Sequence, residues 1–127
     1  MANGVFDILH YGHVLYLEQA ALLGRLVVTV TRDKFVNKGP GRPTNQEDHR
    51  LAVVKALRCV SAAILVDGAT DGFNRVAPDI FIKGQDYIGK IQQEHWEECL
   101  KRGIEIRYTD TPIFSATKII NDRLRTG

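Results

Sequence analysis

The chain alternates short apolar runs rich in β-branched residues with longer segments of helical periodicity, and this alternation restricts the fold more than any other sequence feature. Four runs are typical of buried strands, RLVVTVT (25–31), AAILV (62–66), DIFIK (79–83) and IEIRYT (104–109). Helices are predicted at HVLYLEQAALLG (13–24), EDHRLAVVKALRCV (47–60), DGATDGFNRVA (67–77), IQQEHWEECLKRG (91–103) and SATKIINDRL (115–124). With a first strand at the start of the chain, the pattern predicts an α/β fold. Its three α/β/α layers enclose a parallel sheet of about five strands.

Length and charge restrict the class of protein further. With 127 residues, the chain predicts a single domain, 1–127, and a net charge of +2 without a basic stripe argues against nucleic acid as a partner. Asp7 interrupts the early apolar run, and no run is long enough to span a membrane. Cys59 and Cys99 match no metal or redox spacing and are expected as reduced thiols. A cytoplasmic protein without membrane contact is therefore expected.

GVFDILHYGH (4–13) places two histidines around a glycine between the first strand and the first helix. Gly12 would let a ligand approach the backbone, and His13 would lie at a helix N-terminus, which favours anions. Taken alone, His13 is most simply a helix cap and His10 a surface residue. The two together around Gly12 favour a function.

Later strands end in further polar residues. Lys83 and Asp86 follow DIFIK, Ser115 and Thr117 open the last predicted helix, and Lys38 lies in a loop rich in glycine. Simpler interpretations exist. Lys83 could be a solvated lysine, Ser115 an N-cap, and the loop with Lys38 a basic turn. Because the carboxyl ends of parallel strands share one edge, their recurrence there implies a ligand with several phosphates.

Arg50 and Arg58 lie about 80° apart on the predicted second helix, if each residue turns it by about 100°. Both would project from the apolar arc, where arginine is rarely found without an anionic partner. Snorkelling at the helix ends is the alternative, more so for Arg58 than for Arg50.

The segment GVFDILHYGHVLYLEQA resembles the G-x-F-D-x-x-H-x-G-H signature of the cytidylyltransferase-like nucleotidyltransferases. KGPGRPTNQEDHRLAVVKALRCV, IKGQDY and FSATKII resemble the lysine loop, arginine helix, K-G-x-D element and hydroxyl-rich helix start of its sugar-phosphate members. Within the family, the chain resembles two branches, the adenylyltransferase domain of ADP-heptose synthase and glycerol-3-phosphate cytidylyltransferase. The resemblance covers nearly the whole chain and implies a Rossmann-like fold.

The resemblance implies transfer of a nucleoside monophosphate from ATP or CTP to a small phosphorylated substrate, with Mg²⁺ present and a homodimer expected. It assigns catalysis to His10, His13 and Lys38. It assigns nucleotide binding to Asn3, Gly4, Phe6, Gly12, Lys83, Asp86, Ser115 and Thr117. It assigns substrate or phosphate binding to Asp7, Arg50 and Arg58.

The acceptor is left open by the sequence. A compound like heptose 1-phosphate is favoured, and CTP:glycerol-3-phosphate cytidylyl transfer is the alternative. A nucleotide-binding module without catalysis is the competing class, because Ala116 stands where the family has a middle hydroxyl and few residues precede Asn3. A structural protein with a chance motif would show no thermal shift with nucleotides.

Overall fold

The computed structural model describes residues 1–36 and 43–110, in which strands and α-helices alternate. The five strands are β1 (Ala2–Gly4), β2 (Val27–Thr31), β3 (Ala62–Val66), β4 (Ile80–Gly84) and β5 (Glu105–Thr109). The four α-helices are α1 (Tyr11–Ala21), α2 (Glu47–Lys55), α3 (Ala69–Val76) and α4 (Gln93–Arg102). Short 3₁₀ turns follow two of the strands, at Asp33–Phe35 and Gln85–Tyr87. Among these residues, none of the helices is both long and apolar enough to cross a membrane.

All strand pairs are parallel, and the sheet has the order β3-β2-β1-β4-β5. The predicted α/β architecture is therefore confirmed. The chain runs outward from β1 to β3 and then returns to the other side of β1. This reversal creates a switch point between β1 and β4, beyond whose carboxyl ends such sheets bind ligands.

Two apolar clusters cover the two faces of the sheet. Val28 and Val30 pack with Leu17 of α1 and Val54 of α2 in the first cluster. Phe81 of β4 packs in the second cluster, with residues of α3 and α4. Connections between parallel strands are right-handed, so the direction in which the chain crosses the sheet decides which face each pair of helices covers. The outward and returning halves of the chain thus cover opposite faces and leave the strand ends open.

The second helix is shorter than its sequence pattern predicts. α2 ends at Lys55 rather than continuing to residue 60, and a turn begins where the Leu57 N–H donates to Val54 O. The chain then enters β3, where the N–H groups of Ser61 and Ala62 both donate to Leu26 O. The backbone pairing that begins β3 therefore overrides the helix propensity of residues 56–60. The predicted helix at 115–124 lies outside the described residues.

Candidate functional site

A cavity of about 460 Å³ lies at the carboxyl edge of the sheet, at the switch point between β1 and β4. Its lining includes the ends of β1, β2 and β4 and the residues where α3 and α4 begin. Asn3, Gly4 and Lys83, which the sequence assigned to nucleotide binding, all line it. Phe6, Asp7 and Arg50 instead line a neighbouring groove of about 500 Å³. These six predicted residues thus divide between two concavities, whose linings do not include His10, Gly12, His13 or Asp86.

His10 and His13 cap the first helix reciprocally. His10 is the N-cap of α1, and its Nδ1 accepts the Gly12 N–H at 3.1 Å. The His10 N–H in turn donates to His13 Nδ1 at 3.2 Å, which completes a capping box. The two ring centroids lie 4.1 Å apart. The sequence suggested His13 as the cap and His10 as a surface residue. In the structure His10 is the N-cap residue, and His13 is the third helical residue, which bonds back to it.

The capping box also fixes which ring nitrogen carries the proton. A nitrogen that accepts an N–H bond has no proton of its own, so each neutral ring is protonated at Nε2. Burial lowers the pKa of His10 below its ordinary value, which favours that neutral form. Each ring therefore has an Nε2–H donor that the capping box does not use.

Phe6 adopts a strained backbone conformation directly after β1. Its φ is 52°, a value rare for a residue other than glycine. Its ring packs so closely over Gly4 that a Cβ at that position would lie 2.8 Å from a ring carbon. The ring edge meets His13 at a centroid distance of 5.7 Å. Such strain concentrates at functional sites, and here it links the strand end to the histidine pair.

Asp7 is buried and holds the loop after β1 against the segment before α2. Its two carboxylate oxygens accept the N–H groups of Thr44 and Asn45, each at 2.8 Å. The Asn45 side chain returns a bond of 2.6 Å to the Asp7 carbonyl. These contacts give Asp7 a positioning role, and substrate binding by Asp7 stays a prediction.

Arg50 has the anionic partner that its helix position predicted, and this partner belongs to the protein. Its side chain is fully buried, and Nη2 pairs with Asp33 Oδ1 at 2.6 Å. Its other donors reach Val5 O at 2.7 Å and Asn45 O at 3.1 Å. One guanidinium thus joins the loop after β1, the turn after β2 and the start of α2. Binding of substrate by Arg50 stays a prediction.

Arg58 does not share this environment, because α2 ends before it. The residue lies in the turn after Lys55 and is exposed, so it does not project from an apolar helix face. The placement of both arginines on one helical arc was wrong for this residue.

Lys83 is a cation held in apolar surroundings at the end of β4. Burial lowers its pKa to about 8, against a smaller opposite effect of Asp86. Its Nζ donates to Asn3 O at 3.3 Å and lies 4.6 Å from the centroid of the Tyr87 ring. Asn3 is anchored in turn by its side-chain bond to Thr29 Oγ1 at 2.9 Å. Lys83 therefore spans the switch point from β4 to β1.

His95 is a buried residue of this cavity that the sequence did not single out. It lies in the first turn of α4, 5% exposed, and lines the same cavity as Lys83. Its ring stacks on Phe81 with centroids 5.4 Å apart. The available signal was helical spacing, because His95, Glu98 and Cys99 fall on one buried face.

Lys38, Ser115 and Thr117 lie outside the described residues, so their predicted roles stay predictions. Gly12 is the second residue of α1. Asp86 belongs to the 3₁₀ turn after β4, and its Oδ1 lies over Gly84.

Comparisons with known proteins agree with the motifs. The family model described as Cytidylyltransferase-like matches residues 1–122. The "Bifunctional protein HldE" of Photobacterium profundum is 47% identical over 132 aligned positions, which cover all of this chain and 28% of that protein. An "FAD synthase" of Aciduliprofundum boonei is 41% identical, over 94% of this chain and 86% of that one. The chain therefore spans under a third of the first relative and most of the second.

The same fold is found among solved structures. The lipopolysaccharide core biosynthesis protein from Thermoplasma volcanium superposes with a TM-score of 0.72 and 34% sequence identity. The match covers 91% of this chain and 96% of that chain.

The contrast between Arg50 and Arg58 yields a stability prediction. Replacing Arg50 by Met leaves Asp33 and two carbonyls without their donor, so we expect the free energy of unfolding to fall by about 3 kcal/mol. Arg58→Met is the matched control, and because that residue is exposed it should change stability by under about 0.5 kcal/mol. Urea denaturation followed by circular dichroism measures both. Equal losses in the two variants would contradict the positioning role of Arg50.

Proposed function

This chain belongs to the cytidylyltransferase-like family of nucleotidyltransferases, and we propose that it transfers a nucleoside monophosphate to a sugar phosphate or polyol phosphate. An oxygen of the acceptor phosphate attacks the α-phosphorus of a nucleoside triphosphate. A new phosphorus–oxygen bond forms there as the bond to the β-phosphate breaks. Pyrophosphate leaves with the electron pair of that bond.

The observation that carries the proposal is the histidine pair. Both Nδ1 atoms accept backbone N–H groups at the start of α1, so each neutral ring carries its proton on Nε2. Donors fixed in advance stabilise negative charge as it develops in a transition state, because they need not reorganise. We assign these two donors to the phosphate oxygens around the reacting phosphorus.

The reaction requires no general base from the protein. A phosphate monoester has its second pKa near about 6, so the attacking oxygen is already anionic at neutral pH. Catalysis then consists of placing two anions against each other and neutralising their charge. Lys83 at the switch point supplies one cation for this, and Asn3 holds its ammonium toward β1.

The remaining predicted contacts complete the proposal. Lys38 is assigned to the triphosphate, Ser115 and Thr117 to its outer phosphates, and Asp86 to the nucleotide. Within residues 1–36 and 43–110, no three His, Cys, Asp or Glu side chains converge to hold a metal ion. We therefore propose Mg²⁺ as an ion that arrives with the triphosphate and is ligated largely by phosphate and water. None of the steps above is assigned to it.

The acceptor proposed first is a sugar phosphate like heptose 1-phosphate, because several relatives carry the name HldE. The second candidate is adenylyl transfer to FMN. It is supported by the relative named FAD synthase, which is 41% identical to this chain and is covered over 86% of its own length. CTP:glycerol-3-phosphate transfer remains the third.

A panel of donors and acceptors separates these candidates. We expect pyrophosphate release with ATP and heptose 1-phosphate to exceed release with ATP and FMN or with CTP and glycerol 3-phosphate. A coupled pyrophosphate assay in the presence of Mg²⁺ measures all combinations. Nucleotide binding without release for any pair would instead support a module that binds nucleotides without catalysis.

Variants of the histidine pair separate catalysis from helix capping. Asn is a good N-cap and Gln is a usual N3 partner, so His10→Asn and His13→Gln retain the capping box while removing the ring donors. We expect kcat to fall by on the order of 10² to 10³ in each variant, with the melting temperature nearly unchanged. His13→Ala removes the Nε2–H donor of the ring and also the Nδ1 that accepts the His10 N–H. This variant should nearly abolish turnover while the fold survives. An active His13→Ala variant would refute the role of that ring.

The lowered pKa of Lys83 predicts how nucleotide binding depends on pH. The ammonium is protonated below its pKa of about 8 and loses its charge as the pH rises through that value. Affinity for a nucleoside triphosphate should therefore weaken between pH 7 and pH 9, and Lys83→Met should bind more weakly at pH 7 with a flatter profile. Isothermal titration calorimetry at each pH gives both curves. An unchanged slope in the variant would exclude Lys83 as the titrating group.

A further inference from the structure

His95 has a buried ring nitrogen that no described residue satisfies. The side chain is 5% exposed, and its Nδ1 is fully buried without a hydrogen-bond partner in the described part of the chain. Buried polar atoms in folded proteins almost always have partners, so an exception requires an explanation. His95 also lines the cavity of about 460 Å³. Because Nδ1 itself has almost no accessible surface, a ligand in the cavity would reach it after the ring turns over about its Cβ–Cγ bond, a rotation that keeps the ring plane.

The environment of His95 keeps the ring neutral. Phe81 stacks on it at an interplanar angle of 14°, and Phe73 meets it edge-on at 6.1 Å. Burial, and to a lesser extent the charge of Lys83, lowers its pKa to about 4. At neutral pH the imidazole therefore has one N–H donor and one acceptor nitrogen and no charge.

The charged groups around the cavity favour an uncharged partner for this ring. Glu94 lines the cavity directly before His95 in α4, which disfavours an anion there. Lys83 lines it as well, which disfavours an ammonium group, and its Nζ lies 5.8 Å from the same Phe81 ring. Asp67, the other carboxylate of the lining, is paired with Arg32 at 3.0 Å.

We propose that this cavity holds the body of the acceptor substrate and that His95 Nδ1 forms a hydrogen bond with one of its hydroxyl groups. A hydroxyl group can donate to the acceptor form of that nitrogen or accept from its donor form, so it suits either tautomer. Lys83 then lies between the triphosphate and the phosphate of the acceptor, and the hydroxylated carbon chain of the acceptor lies toward His95. This inference rests on the proposed function, and it makes His95 a specificity-determining residue.

Binding can be tested without turnover by nitrogen-15 NMR of protein labelled at its four histidines. The His95 resonances are assigned by their loss in His95→Phe, which keeps a stacking ring but has no nitrogen. Glycerol 3-phosphate should move the Nδ1 resonance. Propyl phosphate, which lacks the two hydroxyl groups, and inorganic phosphate should not. No movement with glycerol 3-phosphate or mannose 1-phosphate, or equal movement with inorganic phosphate, would overturn the proposal.

Kinetics test the same site during turnover with the acceptor selected by the donor panel. His95→Phe should raise the KM for that acceptor by on the order of 10-fold, while the KM for the nucleoside triphosphate stays within about twofold. His95→Asn places an amide near the position of Nδ1 and should recover most of the loss. An unchanged acceptor KM in His95→Phe, or an equal rise in both KM values, would contradict the assignment. Because the NMR experiment needs no reaction, its outcome stands even where no pyrophosphate is released.

Discussion

The backbone pairing of β1 is the constraint on which the rest of the structure depends. This strand is three residues long, yet it pairs with β2 along its whole length and with β4 at Ala2. Hydrogen bonds around Met1 extend the second pairing, since its carbonyl accepts from Ile82 N and its amino group donates to Ile80 O. The central position of β1 makes it the boundary between the two halves of the sheet. Groups that leave its carboxyl end consequently reach both concavities of the site.

Polar side chains at this edge fall into two groups. Asp7 and Arg50 are buried, and their contacts hold three chain segments together. The histidine rings and Lys83 are only partly buried, and each bonds to a backbone atom near the strand ends. Burial and bonding therefore separate the residues that build the site from those that can face a ligand. Residue type alone does not make this distinction, because both groups are charged or polar and follow the same strands.

The sequence predicts the fold well because its signals are local. β3 has the predicted limits, Ala62–Val66, and the alternation of elements predicts the parallel sheet. The predicted end of α2 was wrong because the chain turns toward β3 after Lys55. The predicted environment of Arg58 was wrong for the same reason. The partner of Arg50 could not be found from sequence, because Asp33 lies 17 residues away in a turn. His95 was missed for a similar reason, since its significance comes from Lys83 and Phe81 on another element.

The capping box gives a geometric meaning to the interval between the two histidines. His10 stands at the N-cap and His13 at the third helical position, so the interval of three residues equals the distance over which such boxes close. Each residue turns an α-helix by about 100°, so one inserted residue would move the second imidazole to a different side of α1. The first ring would then remain at the sheet edge while its companion faced elsewhere. The spacing of three residues in the motif therefore sets the angle between the two rings around the axis of α1.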